Sequence, residues 1–296
     1  MESMDKALIG ILGATSRVGK WLWAMLGERY VIVAFSRKVV PTQIQATRYQ
    51  PARWFQLPPS SQVKPAGDIP PIKDWICLAP IWAMPRYFTL LSELGAQRLI
   101  ALSSTSRFSK QDSSNPKERR LAADLQLAEE ATVQWAVKNV IQLTILRSTM
   151  IYGSANDGNI SLIMRFIMHF GFFPLFGTGQ GLRQPVHGAD VAKACLSALD
   201  TSRPGVRCLN ISGADVLSYR EMIERIFKAL GKAPRFINVP IGVFRGFAAM
   251  LSLCPRFGHF TASMAERMNQ NLNFDHSEAK KELGFSPRGF NPVKMI

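Results

Sequence analysis

Gly10-Ile-Leu-Gly-Ala-Thr-Ser-Arg-Val-Gly19 follows the start of an apolar run, Ala7 to Leu12, and opens into Lys20-Trp-Leu-Trp-Ala-Met-Leu26, which has helix-forming composition. Strand, glycine-bearing turn and helix start in that order make a phosphate cradle. Small residues let the backbone approach a pyrophosphate, and the open N–H groups and dipole at the helix N-terminus stabilise its charge. Gly13 and Gly19 hold the outer positions of the usual three-glycine spacing, and Ser16 stands at the middle one. Gly13, Thr15, Ser16, Arg17, Val18 and Gly19 are therefore candidate cofactor contacts. The plainer reading is a tight strand-to-helix turn, but the turn heads a chain in which strands and helices alternate, which favours a dinucleotide.

Working outward, Val31 to Phe35 reads as the second strand, a strand is expected near Arg53 to Leu57, and Trp75 to Leu78 and Arg98 to Leu102 read as later ones. Their continuous apolar character fits strands buried on both faces of a parallel sheet. Helices are expected from about Pro85 to Leu94 and from about Lys117 to Lys138. Between Phe35 and Trp75, Pro41, Pro51, Pro58, Pro59, Pro65, Pro70 and Pro71 exclude long helices. Farther on, Ile163, Phe166, Ile167 and Phe170 recur at helical spacing. Ser218 with Glu221 forms a capping box ahead of Met222, Ile223, Ile226, Phe227 and Leu230.

Composition agrees with that outline. The 296 residues are 47% hydrophobic, enough to bury a large core. Cys77, Cys195, Cys208 and Cys254 have no close pairing and sit in apolar or strand-like settings, which points to buried thiols in a reducing compartment. The early first strand leaves no room for a signal peptide, and no apolar run reaches the ~18 residues of a membrane span. The expectation is a soluble, cytoplasmic protein.

A net charge of +15 calls for an anionic partner or a solvated basic surface. Lys and Arg are spread along the chain, with short clusters only at Arg119-Arg120 and Lys280-Lys281 and no aromatic-interleaved basic motif, so nucleic acid is not expected. The stretch Ile241 to Leu253, with Arg245 inside it and Arg256 after it, reads as a lobe helix or as a peripheral membrane contact. His169, His187, His259 and His276 lack the short spacings of a zinc site, and no metal is expected.

The spacing Gly-Ala-Thr-x-x-x-Gly resembles the extended and atypical short-chain dehydrogenase/reductases, the group that includes the NAD-dependent epimerases and dehydratases of nucleotide sugars. Other segments carry the resemblance in the same order to the end of the chain. They are Leu146-Arg-Ser-Thr-Met-Ile-Tyr-Gly153, with Ser148 where the family has proline, Arg183-Gln-Pro-Val-His-Gly-Ala-Asp-Val-Ala192, Leu209-Asn-Ile-Ser-Gly213 and Glu282-Leu-Gly-Phe-Ser-Pro-Arg288. The resemblance implies an α/β fold, a doubly wound Rossmann-type parallel sheet with a smaller C-terminal substrate lobe. Residues 1–155 would form the dinucleotide-binding part, completed by about 181–213, and residues 156–180 and 214–296 the lobe. It also implies that Arg183 contacts a substrate diphosphate, and that the helix near Lys117 to Lys138 can pair in a homodimer.

Cofactor choice follows from the end of the second strand. NAD-binding proteins commonly place a carboxylate there, on the ribose 2′-hydroxyl. Here Ser36-Arg37-Lys38 stands in its place, and no acidic residue occurs between Glu28 and Asp68. Two cations at a 2′-phosphate, with Arg17 as a third contact, favour NADP(H) over NAD(H). The alternative is that Arg37 and Lys38 are merely exposed at a strand end.

Catalysis is less regular. Enzymes similar to this chain use a Ser or Thr after the fifth strand, then a Tyr and a Lys four residues later, because a neighbouring ammonium lowers a phenol that titrates near ~10 in water. The family pattern favours Ser104 as the reactive hydroxyl, with Ser103 and Thr105 as alternatives, in Leu102-Ser-Ser-Thr-Ser-Arg-Phe-Ser109. No tyrosine occurs between Tyr87 and Tyr152, and Pro116-Lys-Glu-Arg-Arg-Leu-Ala-Ala-Asp124 occupies the place of the pair. Two classes of function stay open. One is an NADP-dependent oxidoreductase or epimerase/dehydratase acting on a nucleotide-linked or other phosphorylated small molecule, with Tyr152, Tyr87, His169 or His187 as substitute proton donor. The other is a non-catalytic NADP(H)-binding regulator, or an assembly or scaffold subunit of a larger complex.

Overall fold

The computed structural model describes residues 6–27, 29–37, 53–57, 69–154, 158–201, 203–240 and 266–292. Its centre is a seven-stranded sheet, β1 (Leu8–Leu12), β2 (Val31–Ser36), β3 (Arg53–Gln56), β4 (Asp74–Cys77), β5 (Arg98–Ser104) and β6 (Gln142–Ser148), with a later strand (Val206–Ile211) beyond β6. From edge to edge the order is that later strand, β6, β5, β4, β1, β2, β3, and every pairing is parallel. The order reverses between β1 and β4, and in such sheets the crevice beyond the strand C-termini at the reversal is where ligands sit.

Continuous apolar strands need cover on both faces. One face is covered by α1 (Gly19–Leu26), whose Leu22 and Leu26 pack with Ile9, Ile11, Val191, Cys195 and Leu199. The other face takes a 3₁₀ turn (Ile81–Tyr87), α2 (Phe88–Glu93) and, after the one-turn α3 (Ser106–Ser109), the long α4 (Pro116–Lys138). Leu90, Leu91, Leu125, Ala128 and Ala136 are buried there against Trp75, Leu99 and Leu143. Asn115 caps α4 by accepting the Lys117 N–H at 2.9 Å, and Pro116 occupies the first turn, where its missing N–H costs nothing.

Beyond β6 the chain forms β7 (Ile151–Tyr152), α5 (Ile160–Phe170), β8 (Phe173–Phe176), β9 (Leu182–Arg183) and β10 (Val186–His187). It returns over the sheet through α6 (Gly188–Asp200) and β11 (Val206–Ile211), the later strand above, then makes β12 (Leu217–Ser218), α7 (Tyr219–Ala229), β13 (Phe236–Val239) and α8 (Ser277–Leu283). The capping box is formed: Ser218 Oγ accepts the Glu221 N–H at 3.1 Å, and the Glu221 carboxylate accepts the Ser218 N–H at 2.7 Å. The apolar face of α7 packs on α5 and β8 as a separate core containing Met222, Ile223, Ile226, Phe227, Ile163, Ile167 and Phe173. Phe173–Phe176 forms β8, which pairs in parallel with β13. The segment supplies a strand because Gly171, at φ 74°, ends α5 and turns the chain away.

Among the described residues no helix is long and apolar enough to cross a membrane. Lys38, the first four of the seven prolines before Trp75 with Pro65, residues 155–157, Cys254, His259 and the whole of 241–258 lie outside the described residues.

Candidate functional site

The glycine turn after β1 is built by its own hydrogen bonds. Gly13 N–H donates to the Phe35 carbonyl at 2.9 Å, Ser16 N–H to Gly13 O at 2.9 Å, and Gly19 N–H to Ser16 O at 3.1 Å. Ser16 Oγ accepts the same Gly19 N–H at 3.1 Å, so the residue in the middle glycine's place braces the turn with its side chain. Gly13 has φ 75°, and a Cβ on it would lie 2.5 Å from the Ala79 nitrogen; a Cβ on Gly19 would lie 2.5 Å from the Ala14 carbonyl oxygen. Both positions therefore demand glycine, one for its dihedral and contact and the other for its contact. Thr15 Oγ1 and Ser36 Oγ are 3.2 Å apart, which ties the turn to the end of β2. Ser36 is buried and Arg37 is exposed beyond it. A close-approach turn without a carboxylate at the strand end fits the phosphates of a nicotinamide dinucleotide.

The turn forms one end of a cavity of about 790 Å³. Thr15, Ser16, Arg17 and Val18 border it, together with the C-terminal ends of β5 and β6, α5, Tyr219 and the 267–274 segment. The ionisable side chains on its wall are Arg17, Lys110, Arg183, Tyr219 and Arg267, and among the described residues no Asp or Glu lines it. Glu118, behind the wall, pairs with Arg267 and lies 3.8 Å from Lys110, so the excess positive charge on the described part of the wall is partly offset and still favours an anion.

Three hydroxyls sit at the end of β5. Ser103 Oγ donates to the buried Glu129 carboxylate at 2.5 Å, and Thr105 Oγ1 donates to the Ser148 carbonyl at 3.2 Å. Ser104 Oγ instead accepts the Ser106 N–H at 3.1 Å, which leaves its own proton to donate. All three border the cavity. The Glu129 carboxylate also takes Arg107 and Arg147, the latter at 2.7 Å, so Ser103 belongs to a closed network beside the sheet. The only α4 side chain on the cavity wall, among the described residues, is Leu125.

None of the substitute donors named from sequence borders the cavity. Tyr152 Oη donates to the Gly289 carbonyl at 3.1 Å and accepts the Asn291 N–H at 3.2 Å, and burial pushes its phenol up. Tyr87 is buried in the core under the sheet, where burial pushes its phenol up as well. His187 caps α6, accepting the Ala189 N–H on Nδ1 at 3.1 Å, and burial with Arg288 and Lys20 nearby holds it below the usual histidine range. His169 is exposed at the last turn of α5, edge-on to Phe170.

Arg183 does line the cavity, but its guanidinium works hard on the backbone. Nη1 donates to the carbonyls of Leu182 at 2.7 Å and Gln270 at 2.8 Å, and Nη2 donates to that of Arg267. The group stacks 5.1 Å from the Tyr219 ring, and burial lowers it to about 10. Lys110, Tyr219, Arg267 and Phe274 are cavity residues the sequence reading did not select. Lys110 carried one usable signal, its place six residues after Ser104.

A doubly wound parallel sheet with a glycine turn after its first strand, opening on a cation-lined crevice, defines a Rossmann-type fold. The family model of the NAD dependent epimerase/dehydratase family matches residues 84–212. UDP-glucuronic acid 4-epimerase from Bacillus cereus, solved in complex with NAD, shares the fold with a TM-score of 0.70 at 14% identity, covering 97% of this chain and 96% of that one. UDP-glucose 4-epimerase of Vibrio cholerae is 24% identical over 160 residues, 54% of this chain and 46% of the relative. The mitochondrial NADH dehydrogenase [ubiquinone] 1 alpha subcomplex subunit 9 of Arabidopsis thaliana is 31% identical over 126 residues, 42% of this chain and 31% of the relative. The chain thus spans less than half the length of these curated relatives. The matched segment, residues 84–212, is similar to the NAD dependent epimerase/dehydratase family, and the chain shares its fold with solved epimerases.

Proposed function

We propose that the chain binds NADP(H) in preference to NAD(H) and acts as an oxidoreductase or epimerase/dehydratase on a nucleotide-linked or other phosphorylated small molecule. The observation that carries this reading is that one cavity brings the glycine turn, the Ser104 hydroxyl and four cations together with, among the described residues, no carboxylate on its wall. Gly13, Thr15, Ser16, Val18 and Gly19 hold the pyrophosphate against the N-terminus of α1, and Arg17, Ser36, Arg37 and Lys38 hold the 2′-phosphate. When bound, the nicotinamide accepts or returns a hydride. Ser104 polarises the reacting oxygen with its uncommitted proton. Arg183 adds positive charge to the substrate end of the wall while it anchors the 267–270 backbone.

In this reading residues 1–155 with 181–213 form the cofactor half, and 156–180 with 214–296 form the substrate lobe. Two copies pair through α4, on which Leu127 and Val137 are exposed. The test is a tryptophan-fluorescence titration with NADPH and with NADH. Micromolar NADPH affinity with much weaker NADH affinity is expected, and equal or absent binding of both rejects the assignment.

A second reading is binding without turnover, as a regulator or an assembly subunit. Leu125 favours it, since the helix that carries the proton relay in similar enzymes offers the cavity an apolar side chain. The Arabidopsis relative is by its name a subunit of a larger assembly. Turnover that Ser104→Ala abolishes decides for the enzyme.

A further inference from the structure

We propose that Lys110 is the proton-transfer residue of this cavity, exchanging a proton between its Nζ and the reacting oxygen of a substrate held at Ser104. The inference rests on the enzymatic reading above and names the group that replaces the absent tyrosine.

Proton exchange with a bound substrate needs a titratable group on the cavity wall. Among the described residues its ionisable members are Arg17, Lys110, Arg183, Tyr219 and Arg267. A guanidinium keeps its proton throughout the working range of an enzyme. The Tyr219 phenol is pushed up to about 12 by burial, and its ring already faces the Arg183 cation at 5.1 Å. Lys110 remains.

Position supports the same choice. Lys110 closes the single turn of α3, donating its N–H to Ser106 O at 3.2 Å, while Ser106 donates its own N–H to Ser104 Oγ at 3.1 Å. A short hydrogen-bonded turn therefore fixes the Ser104 hydroxyl and the Lys110 backbone, and both residues line the same cavity. Lys110 is half-buried, and its Nζ lies 3.8 Å from Glu118 Oε1. That carboxylate is already engaged: Arg267 contacts the same oxygen, and the Ser113 hydroxyl donates to the other at 2.7 Å. Glu118 is thus neutralised mainly by Arg267 and does not lock the Lys110 proton in place. Of the charged groups that face Lys110, Glu118 on α4 favours the ammonium, and Arg267 opposes it. Burial is the largest influence, and the net effect holds Lys110 below the usual lysine range. An amine poised this way serves proton exchange better than an exposed lysine does.

The step balances. In the oxidative direction a secondary alcohol gives its O–H proton to the Lys110 amine and its C–H hydride to an oxidised nicotinamide dinucleotide, leaving a ketone, the reduced dinucleotide and a Lys110 ammonium. In the reductive direction the ammonium returns the proton to the carbonyl oxygen as the hydride returns to carbon.

The test is a ¹³C NMR titration of the full chain after reductive methylation of its lysines, with the Lys110 resonance assigned by its absence in Lys110→Arg. The expected midpoint lies below those of the exposed lysines and falls further in Glu118→Gln. Adding UDP-glucose to the NADP⁺-loaded protein is expected to move that resonance. A midpoint among the exposed lysines overturns the proposal, and so does a resonance that UDP-glucose leaves in place. Lys110→Met is expected to bind NADPH like the unsubstituted chain and to lose turnover about 10²–10⁴-fold; retained turnover also overturns it. Failure of the unsubstituted chain to bind NADPH is a different result, which removes the cofactor reading itself.

Discussion

Ser103 and Glu129 share a 2.5 Å hydrogen bond between β5 and α4, and both side chains are buried. The bond consumes the Ser103 proton, as the Ser148 carbonyl consumes that of Thr105, so the strand end keeps one uncommitted hydroxyl proton, on Ser104. Ser104→Ala should therefore leave NADPH affinity and stability close to the starting protein while cutting turnover about 10²–10³-fold, the usual loss for one polarising donor. Ser103→Ala should do the opposite, with lower stability and a smaller effect on rate. Parallel urea melts and single-turnover assays separate the two, and an identical rate loss in both variants contradicts the assignment.

Glu129 anchors more than a serine. Its carboxylate is 1% exposed as a residue and is shared by Arg107 and Arg147 as well as Ser103. Removing a buried anion leaves the partner cations uncompensated, which typically costs about 3–5 kcal/mol. Glu129→Ala is expected to lose stability on that scale in urea denaturation, and Glu129→Gln, which keeps an acceptor for Ser103, to lose less. A neutral Glu129→Ala would mean that solvent reaches the two arginines freely.

Arg37 tests the cofactor preference. It stands exposed after the buried Ser36, where a carboxylate would read the 2′-hydroxyl of NAD. A charge-assisted hydrogen bond contributes about 1.5–3 kcal/mol, so Arg37→Asp should reduce the NADPH-to-NADH affinity ratio at least about tenfold. An unchanged ratio would assign the preference to Lys38 or Arg17 instead.

The residues legible in the sequence are those whose role is set by their near neighbours. Gly13 and Gly19 announce the turn because its dihedral and its contact with Ala14 are local, and the Ser218–Glu221 box announces α7 for the same reason. The buried strands were legible through unbroken apolar runs. The cavity wall around Arg183 was not. Arg183 is fixed by the carbonyls of Arg267 and Gln270, and Lys110 shares Glu118 with Arg267, pairings that join segments more than eighty residues apart. Spacing cannot reveal such a meeting. The missing tyrosine was plain from sequence, but that Leu125 faces the cavity from α4 required the helix phase seen in the fold.

His187 gives the chain a pH dependence whose sign can be worked out. In the folded protein, burial, Arg288 and Lys20 hold it below the usual histidine range, with Asp190 opposing. The unfolded chain titrates this residue near ~6.5, so between that value and the folded one the unfolded state binds more protons. Stability from this group is therefore fully present above ~6.5, falls as pH drops through it, and levels off below the folded value. The physical cause is visible in the cap: the Nδ1 lone pair accepts the Ala189 N–H at 3.1 Å, and a proton there would displace it. His276 is lowered by burial in the same sense and adds to the slope. Glu118, Glu221 and Asp275 are held low, so their contribution is lost only in the more acidic carboxylate range. His187→Asn keeps a capping acceptor and removes the titration. Comparing urea midpoints at about pH 7.5 and 5.5 across that histidine range, the unsubstituted chain should weaken at the lower pH and the variant should weaken less. The same drop in both proteins would place the proton uptake on His276 or elsewhere.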